Sequence, residues 1–177
     1  MSTVEVEAVL KDGRVVVPSQ EEAEHLGQGG YGTPLEREAG SILNSYEALY
    51  LLAEKRAKVV NSEDGAEMDF QTLLERLRAY DDEAWTRYLI YRDLRSRGYV
   101  VRDGFGFGFD FRLYGRGEYG KKPAKYIVYG IREGKPTPLE QLSEILRFAQ
   151  SVRKGLVIAV VDRRGEVVYY SISTLTF

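Results

Sequence analysis

TPLEQLSEILRFAQSVRKGLVIAVVDRRGEVVYYSIS, residues Thr137–Ser173, sets the architecture of the C-terminal half. It opens with a helix start: Thr137 as N-cap, Pro138 at the first helical position and Glu140 at the third. The helix is predicted to run to Lys154, with Gly155 as its stop. Leu156–Val161 and Glu166–Ser173 then read as a closing hairpin about the turn Asp162-Arg163-Arg164-Gly165. Before this stretch lie a strand, Tyr126–Ile131, and a basic, glycine-containing loop, Arg116–Lys122. Earlier still, Phe105, Phe107, Phe109, Phe111 and Leu113 fall at every second position and so share one face of a strand. Gly106, Gly108, Asp110, Arg112 and Tyr114 take the other face. A short strand, Tyr99–Arg102, follows a helix over Glu83–Arg97 that Asp81-Asp82 caps and Gly98 ends.

The first half is different in texture. Val4, Val6, Ala8 and Leu10 alternate with polar residues, Lys11-Asp12-Gly13 is a turn, and Val15–Val17 completes a hairpin. Ser19 with Glu22 forms a capping box for a short helix ending near Leu26, and GQGGYG, residues 27–32, breaks the chain. A second helix is expected over Tyr46–Lys55, capped by Asn44 or Ser45. Asn61–Glu67 reads as a polar loop. Phe70, Leu73, Leu74 and Leu77 have the spacing of an amphipathic helix. The fold class is therefore α/β (α+β), in two small mixed domains: 1–81, hairpin plus helices, and 82–177, one mixed sheet with flanking helices.

With 177 residues, 25 Lys plus Arg, 27 Asp plus Glu and a formal net charge of -2, the chain is globular and carries no overall basic excess for nucleic acid. The absence of Cys excludes disulfides, thiolate zinc sites and a cysteine nucleophile. His25 alone represents histidine, which argues against a multi-histidine metal site. The acidic N-terminus does not read as a signal peptide. The longest apolar run, Leu156–Val161, is far below the ~20 residues that cross a bilayer, so a soluble, cytoplasmic protein with no membrane partner is expected.

From Tyr88 on, YLIYRDLRSRGYVVRDGFGFGFDFRLYGRG, KYIVYG and LRFAQSVRKGLVIAVVDRRGEVVYYSIS resemble the C-terminal domain of the archaeal tRNA-splicing endonucleases. GYG and SYEALYLL resemble that family's N-terminal domain. The resemblance implies cleavage of precursor tRNA at bulge–helix–bulge sites without metal or other cofactor. A ribose 2′-OH attacks the adjacent phosphate and leaves a 2′,3′-cyclic phosphate and a 5′-OH. It implies three side chains: a tyrosine base, a histidine acid, and a lysine that stabilises the charged transition state. The tyrosine falls on Tyr114 of DFRLY and the lysine on Lys154 of SVRK. The histidine position, just before KYIV, is Pro123.

Proline has no ionisable side chain. An unperturbed histidine titrates near about 6.5, whereas lysine, near about 10.4, is a far weaker acid, so Lys121 and Lys122 are no natural replacements. The resemblance thus implies the structural, non-catalytic subunit of a heterotetramer, two plus two with a catalytic endonuclease subunit, acting on precursor tRNA. It also implies partner contacts from the hairpin loop (Asp162, Glu166) and from pairing of the last strand (Val167, Val168, Tyr169, Tyr170). Arg147, about two helical turns before Lys154, matches an arginine that grips a bulge base, and a second such arginine is replaced around Tyr169. Two alternatives stand beside this: an active subunit with a substituted acid, or a stand-alone RNA-binding and assembly module.

Each residue also has a plain structural reading. Tyr114 serves equally as a strand or interface tyrosine, and Lys154 as a lysine favoured at a helix C-terminus. Arg147 serves as a solvated helix residue, Asp162 and Glu166 as ordinary turn polar groups, and His25 as a surface histidine. GQGGYG lacks the lysine of a phosphate loop.

Overall fold

The computed structural model describes residues 5–104, 106 and 108–174. Val4, Phe105 and Phe107, which entered the strand readings above, lie outside the described residues. The chain divides into two compact units, Met1–Tyr88 and Leu89–Phe177.

In the first unit, β1 (Val6–Lys11) and β2 (Arg14–Val17) form the expected hairpin. Its two-residue turn has both central residues left-handed, Asp12 at φ 50° and Gly13 at φ 73°, the combination that suits the twist of a tight hairpin. The pair sits inside a five-stranded sheet of order β3-β4-β2-β1-β5, with β3 at Thr33–Pro34, β4 at Ser41–Leu43 and β5 at Ala57–Asn61. Only β5 runs parallel to its neighbour, β1. One face of the sheet, including Val6, Ala8, Val15, Val17, Leu43, Ala57 and Val59, is buried.

Three helices complete the unit. Helix α1 (Gln20–Gln28) starts where Ser19 Oγ accepts from Glu22 N–H at 3.3 Å. Helix α2 (Ser45–Ala53) starts at Asn44, whose N–H donates to Glu47 Oε2 at 2.8 Å. The other oxygen of buried Glu47 accepts from Gly32 N–H at 3.1 Å, which ties the glycine-rich break to the helix. Helix α3 (Phe70–Arg78) buries Leu73, Leu74 and Leu77, as the apolar spacing predicts.

Helix α4 (Ala84–Ser96) leads into the second unit. There the sheet order is β10-β9-β8-β7-β6, with β6 at Val100–Asp103, β7 at Phe111–Tyr114, β8 at Tyr126–Arg132, β9 at Gly155–Val161 and β10 at Val167–Ile172. All pairs are antiparallel except β8 with β9. That parallel pair is joined through helix α5 (Leu139–Ser151), whose Ile145 and Ala149 pack with Phe109, Ile127, Leu156 and Ile158. The Tyr91 ring of α4 meets Phe111 at 6.3 Å between centroids.

Two sequence expectations are corrected here. The strand expected over the alternating phenylalanines does not run through Gly106 and Gly108. Gly106 and Gly108 are left-handed, at φ 72° and 86°, so the chain turns before β7 begins at Phe111. Phe109 stacks on Phe148 of α5 at 5.6 Å, whereas Phe111 meets α4, so the two rings do not share a face. Helix α5 is also shorter than expected. Pro138, not Thr137, is its N-cap, the helix ends at Ser151, and Gly155 begins β9 instead of stopping the helix. Arg153, at φ 54°, turns the chain out of the helix.

The loop before β4 depends on one glycine. Gly40 has φ 101°, and a Cβ there would stand 2.1 Å from the Val17 carbonyl oxygen. Gly40→Ala should therefore lower the urea unfolding free energy by about 2 kcal/mol or more. In the same titration Gly27→Ala, in α1 with open space around it, should raise stability by up to about 1 kcal/mol.

Candidate active site

Strand pairing draws three sequence positions to one end of the second sheet. Tyr114 is the last residue of β7, paired with Val100 of β6. Lys125 N–H donates to the carbonyl of Leu113, one residue before Tyr114, at 2.9 Å. Pro123 stands two residues ahead of Lys125 and is exposed. Gly155 N–H donates to the Lys125 carbonyl at 3.1 Å, which brings in Lys154. The Lys154 ammonium donates to the Ala124 carbonyl in a short hydrogen bond. The backbone thus gathers Tyr114, Pro123 and Lys154 around the start of β8.

Lys154 does not lie in the last turn of α5. It occupies the link between Ser151 and Gly155, so neither a helix-dipole account nor a placement two helical turns beyond Arg147 applies. Arg147 is exposed on α5, and its guanidinium has no hydrogen bond or ion pair among the described residues.

The Tyr114 side chain is half-buried. Its hydroxyl accepts a long hydrogen bond, 3.5 Å, from Arg112 Nη1, while Arg112 Nε donates to the Asp103 carbonyl at 2.8 Å. Tyr119 packs edge-on against the Tyr114 ring, 5.0 Å between centroids. Tyr119 belongs to the basic loop, which is well organised. Glu118 N–H donates to Gly115 O at 3.0 Å, Glu118 Oε1 accepts from Lys122 Nζ at 2.9 Å, and Arg116 lies over the Tyr99 ring at 4.9 Å. The Lys122 hydrogen bond holds the Glu118 carboxyl below its usual range. Spacing offered no cue to Tyr119, since its contact with Tyr114 arises from loop closure.

A phenol and an ammonium are therefore present, and residue 123 is a proline, with no ionisable side chain. His25, on α1 in the first unit, is exposed beside Glu21, Glu22 and Glu24.

The outer strand and its turn are the other residues of interest. Val168 and Tyr170 are 50% and 55% exposed on β10, the outermost strand of its sheet. Val167 and Tyr169 are half-buried. The Tyr169 hydroxyl donates to Asp93 Oδ2 at 2.6 Å, and Arg97 Nε donates to the same oxygen at 2.8 Å. This network pins β10 to α4; with partners so far apart in sequence, periodicity could not have revealed it. Asp162 Oδ1 accepts from the backbone N–H of Arg164 and Glu166, at 2.8 and 2.9 Å, and Glu166 is exposed. Among the described residues, no helix is long and apolar enough to cross a membrane.

Comparison with known proteins places the chain in a family. Residues 84–169 match the model of the tRNA intron endonuclease catalytic C-terminal domain, and residues 6–74 that of the tRNA intron endonuclease N-terminal domain. The tRNA-splicing endonuclease of Methanococcus vannielii is 38% identical over 171 residues, covering 96% of this chain and 94% of that protein. That of Thermococcus onnurineus is 36% identical over 136 residues, 77% of each chain. That of Methanosarcina acetivorans is 34% identical over 166 residues, which span 93% of this chain but 45% of that longer protein. The chain belongs to the tRNA intron endonuclease family, a family of enzymes.

Two predictions follow from the side-chain partners. Lys154→Met leaves the buried Ala124 carbonyl without its donor and should destabilise by about 1–3 kcal/mol in denaturant titrations. Burial, then the hydrogen bond to Asp93, raises the Tyr169 phenol above its ordinary value. Its contribution to stability is therefore complete below about pH 10, where an unfolded tyrosine begins to ionise, and is lost as pH rises further. Tyr169→Phe should remove that part of the alkaline fall in unfolding midpoint.

Proposed function

We propose that this chain is the structural subunit of a tRNA-splicing endonuclease. It assembles with a histidine-bearing catalytic paralogue, two copies of each, to excise introns from precursor tRNA at bulge–helix–bulge sites. The observation that carries the reading is Pro123 at the third corner of the site, beside the Lys154–Ala124 hydrogen bond. Cleavage by this chemistry requires the 2′-OH to lose a proton as its oxygen attacks phosphorus. The P–O5′ bond breaks, and the departing 5′-oxygen must gain a proton. Tyr114 is a candidate for the first transfer and Lys154 for charge stabilisation, but at position 123 nothing can protonate the leaving oxygen. The ammonium of Lys154 already serves a backbone carbonyl, which fits a structural role.

In this assembly β10 and its hairpin are the partner-facing elements. An outermost strand with exposed Val168 and Tyr170 suits edge pairing with another chain. Arg147, exposed on α5, is a candidate RNA contact. The retention of Tyr114 and Lys154 favours a second reading, an active subunit with a different acid, and one assay separates the two.

The purified chain should leave precursor tRNA intact, and adding the histidine-bearing paralogue should give 2′,3′-cyclic phosphate and 5′-OH ends. Tyr114→Phe in this chain should leave the reconstituted rate within about twofold. Pro123→His should give the isolated chain at least about a hundredfold more cleavage than its wild type. Cleavage by the lone wild-type chain as fast as by the mixture would overturn the structural assignment.

A further inference from the structure

The two units carry opposite charge. Met1–Tyr88 holds 9 Lys and Arg against 18 Asp and Glu, whereas Leu89–Phe177 holds 16 against 9, so the near-neutral chain joins an acidic unit to a basic one. Within the basic unit the excess is not spread evenly. Where β8 and β9 end, Arg132, Lys135, Arg163 and Arg164 stand beside Glu133, Asp162 and Glu166. Where those strands begin, with the loop that follows β7, stand Arg116, Lys121, Lys122, Lys125, Arg153 and Lys154, and Glu118 is the carboxylate among them.

Strand pairing fixes how near these cations lie. Leu113 faces Tyr126 and Tyr126 faces Gly155, so Arg116, Lys125 and Arg153 lie just outside the same end of three neighbouring strands about 4.8 Å apart. Lys122 is committed to Glu118, and Lys154 to the Ala124 carbonyl. Lys121 and Arg153 are exposed, with no side-chain hydrogen bond or ion pair among the described residues. Arg116 and Lys125, also exposed, lie over the rings of Tyr99 and Tyr126 at 4.9 and 5.4 Å, which holds each charge in place without neutralising it. Tyr99, Tyr114, Tyr119 and Tyr126, all half-buried, stand among these cations.

We propose that this end of the second unit grips the sugar–phosphate backbone of RNA through Arg116, Lys121, Lys125 and Arg153 and, with proline at position 123, holds it uncut. That the RNA is held uncut rests on the structural-subunit reading above; the grip gives the chain a direct hold on precursor tRNA besides its part in assembly. Chemistry favours RNA over a protein here. Cations interleaved with aromatic rings suit a polymer that offers a phosphate at every step and bases to stack. The first unit's excess of carboxylates repels phosphate, and the other end of the second sheet mixes both signs, so neither competes for the same ligand.

The test measures binding of labelled precursor tRNA to the full isolated chain by fluorescence anisotropy over a range of salt, with the RNA run on a gel afterwards. Wild type should bind, lose affinity as salt rises, and return the RNA at full length. Lys121→Gln with Arg153→Gln should weaken binding at least about tenfold and lower the slope of log affinity against log salt by about 1 to 2. Lys121→Arg with Arg153→Lys keeps both charges and should stay within about threefold of wild type. Arg163→Gln with Arg164→Gln removes the same charge at the other end and should stay within about twofold. Thermal melting of the Lys121 and Arg153 variants should match wild type, because these side chains have no partner in their own unit among the described residues. Unchanged affinity in the Lys121 and Arg153 Gln pair overturns the proposal, and so does equal loss from both Gln pairs, which would reduce the effect to net charge. Intact RNA binding with weakened association with the histidine-bearing paralogue also overturns it, making this end a protein surface. These outcomes leave the structural-subunit reading standing. Cutting of the bound RNA by the lone wild-type chain overturns that reading, and with it the claim that the RNA is held uncut.

Discussion

The parallel pairing of β8 with β9 is the constraint on which the second unit depends. Its register sets Tyr126 opposite Gly155, and this alignment carries Lys154 to the Ala124 carbonyl. The antiparallel pairing of β7 with β8 sets Leu113 opposite Tyr126 and so brings Tyr114 to the same place. A slip of one residue at either seam would turn each strand's apolar face outward and dissolve the core around Ile127, Leu156 and Ile158. Core packing and site geometry are therefore fixed by the same hydrogen bonds.

Within that frame, the residues gathered at this end of the sheet differ in the partners they have. Lys154 has a use in the fold, since its ammonium satisfies the Ala124 carbonyl just ahead of β8. Tyr114 packs against Tyr119 and accepts from Arg112, so it too has local partners. Position 123 is exposed and holds a proline, whose side chain carries no ionisable group.

How legible this was in the sequence depends on how local each signal is. The β1–β2 hairpin, the capped starts of α1 and α2, the amphipathic α3 and the closing hairpin were readable because turn residues, caps and apolar spacing act over a few positions. Strands β3, β4 and β5 were not, because Thr33–Pro34 and Ser41–Leu43 are too short for periodicity and Ala57–Asn61 is a strand by virtue of its parallel partner β1. The phenylalanine run misled because period two was counted without the left-handed glycines that bend it. At the site, the resemblance supplied Tyr114, Pro123 and Lys154. The partners that fix them, the Ala124 carbonyl, Tyr119 and Arg112, are products of tertiary closure and leave no spacing pattern.

The connection through α5 also sets an entropic cost on this sheet. Strands β6, β7 and β8 are neighbours both in sequence and in the sheet, as are β9 and β10, so their pairings close shorter loops. The seam between β8 and β9 brings together segments separated by a whole helix, and its loop-closure entropy must be met before any of its hydrogen bonds can reward it. The end that gathers Tyr114, Pro123 and Lys154 therefore rests on the longest loop closure in this sheet.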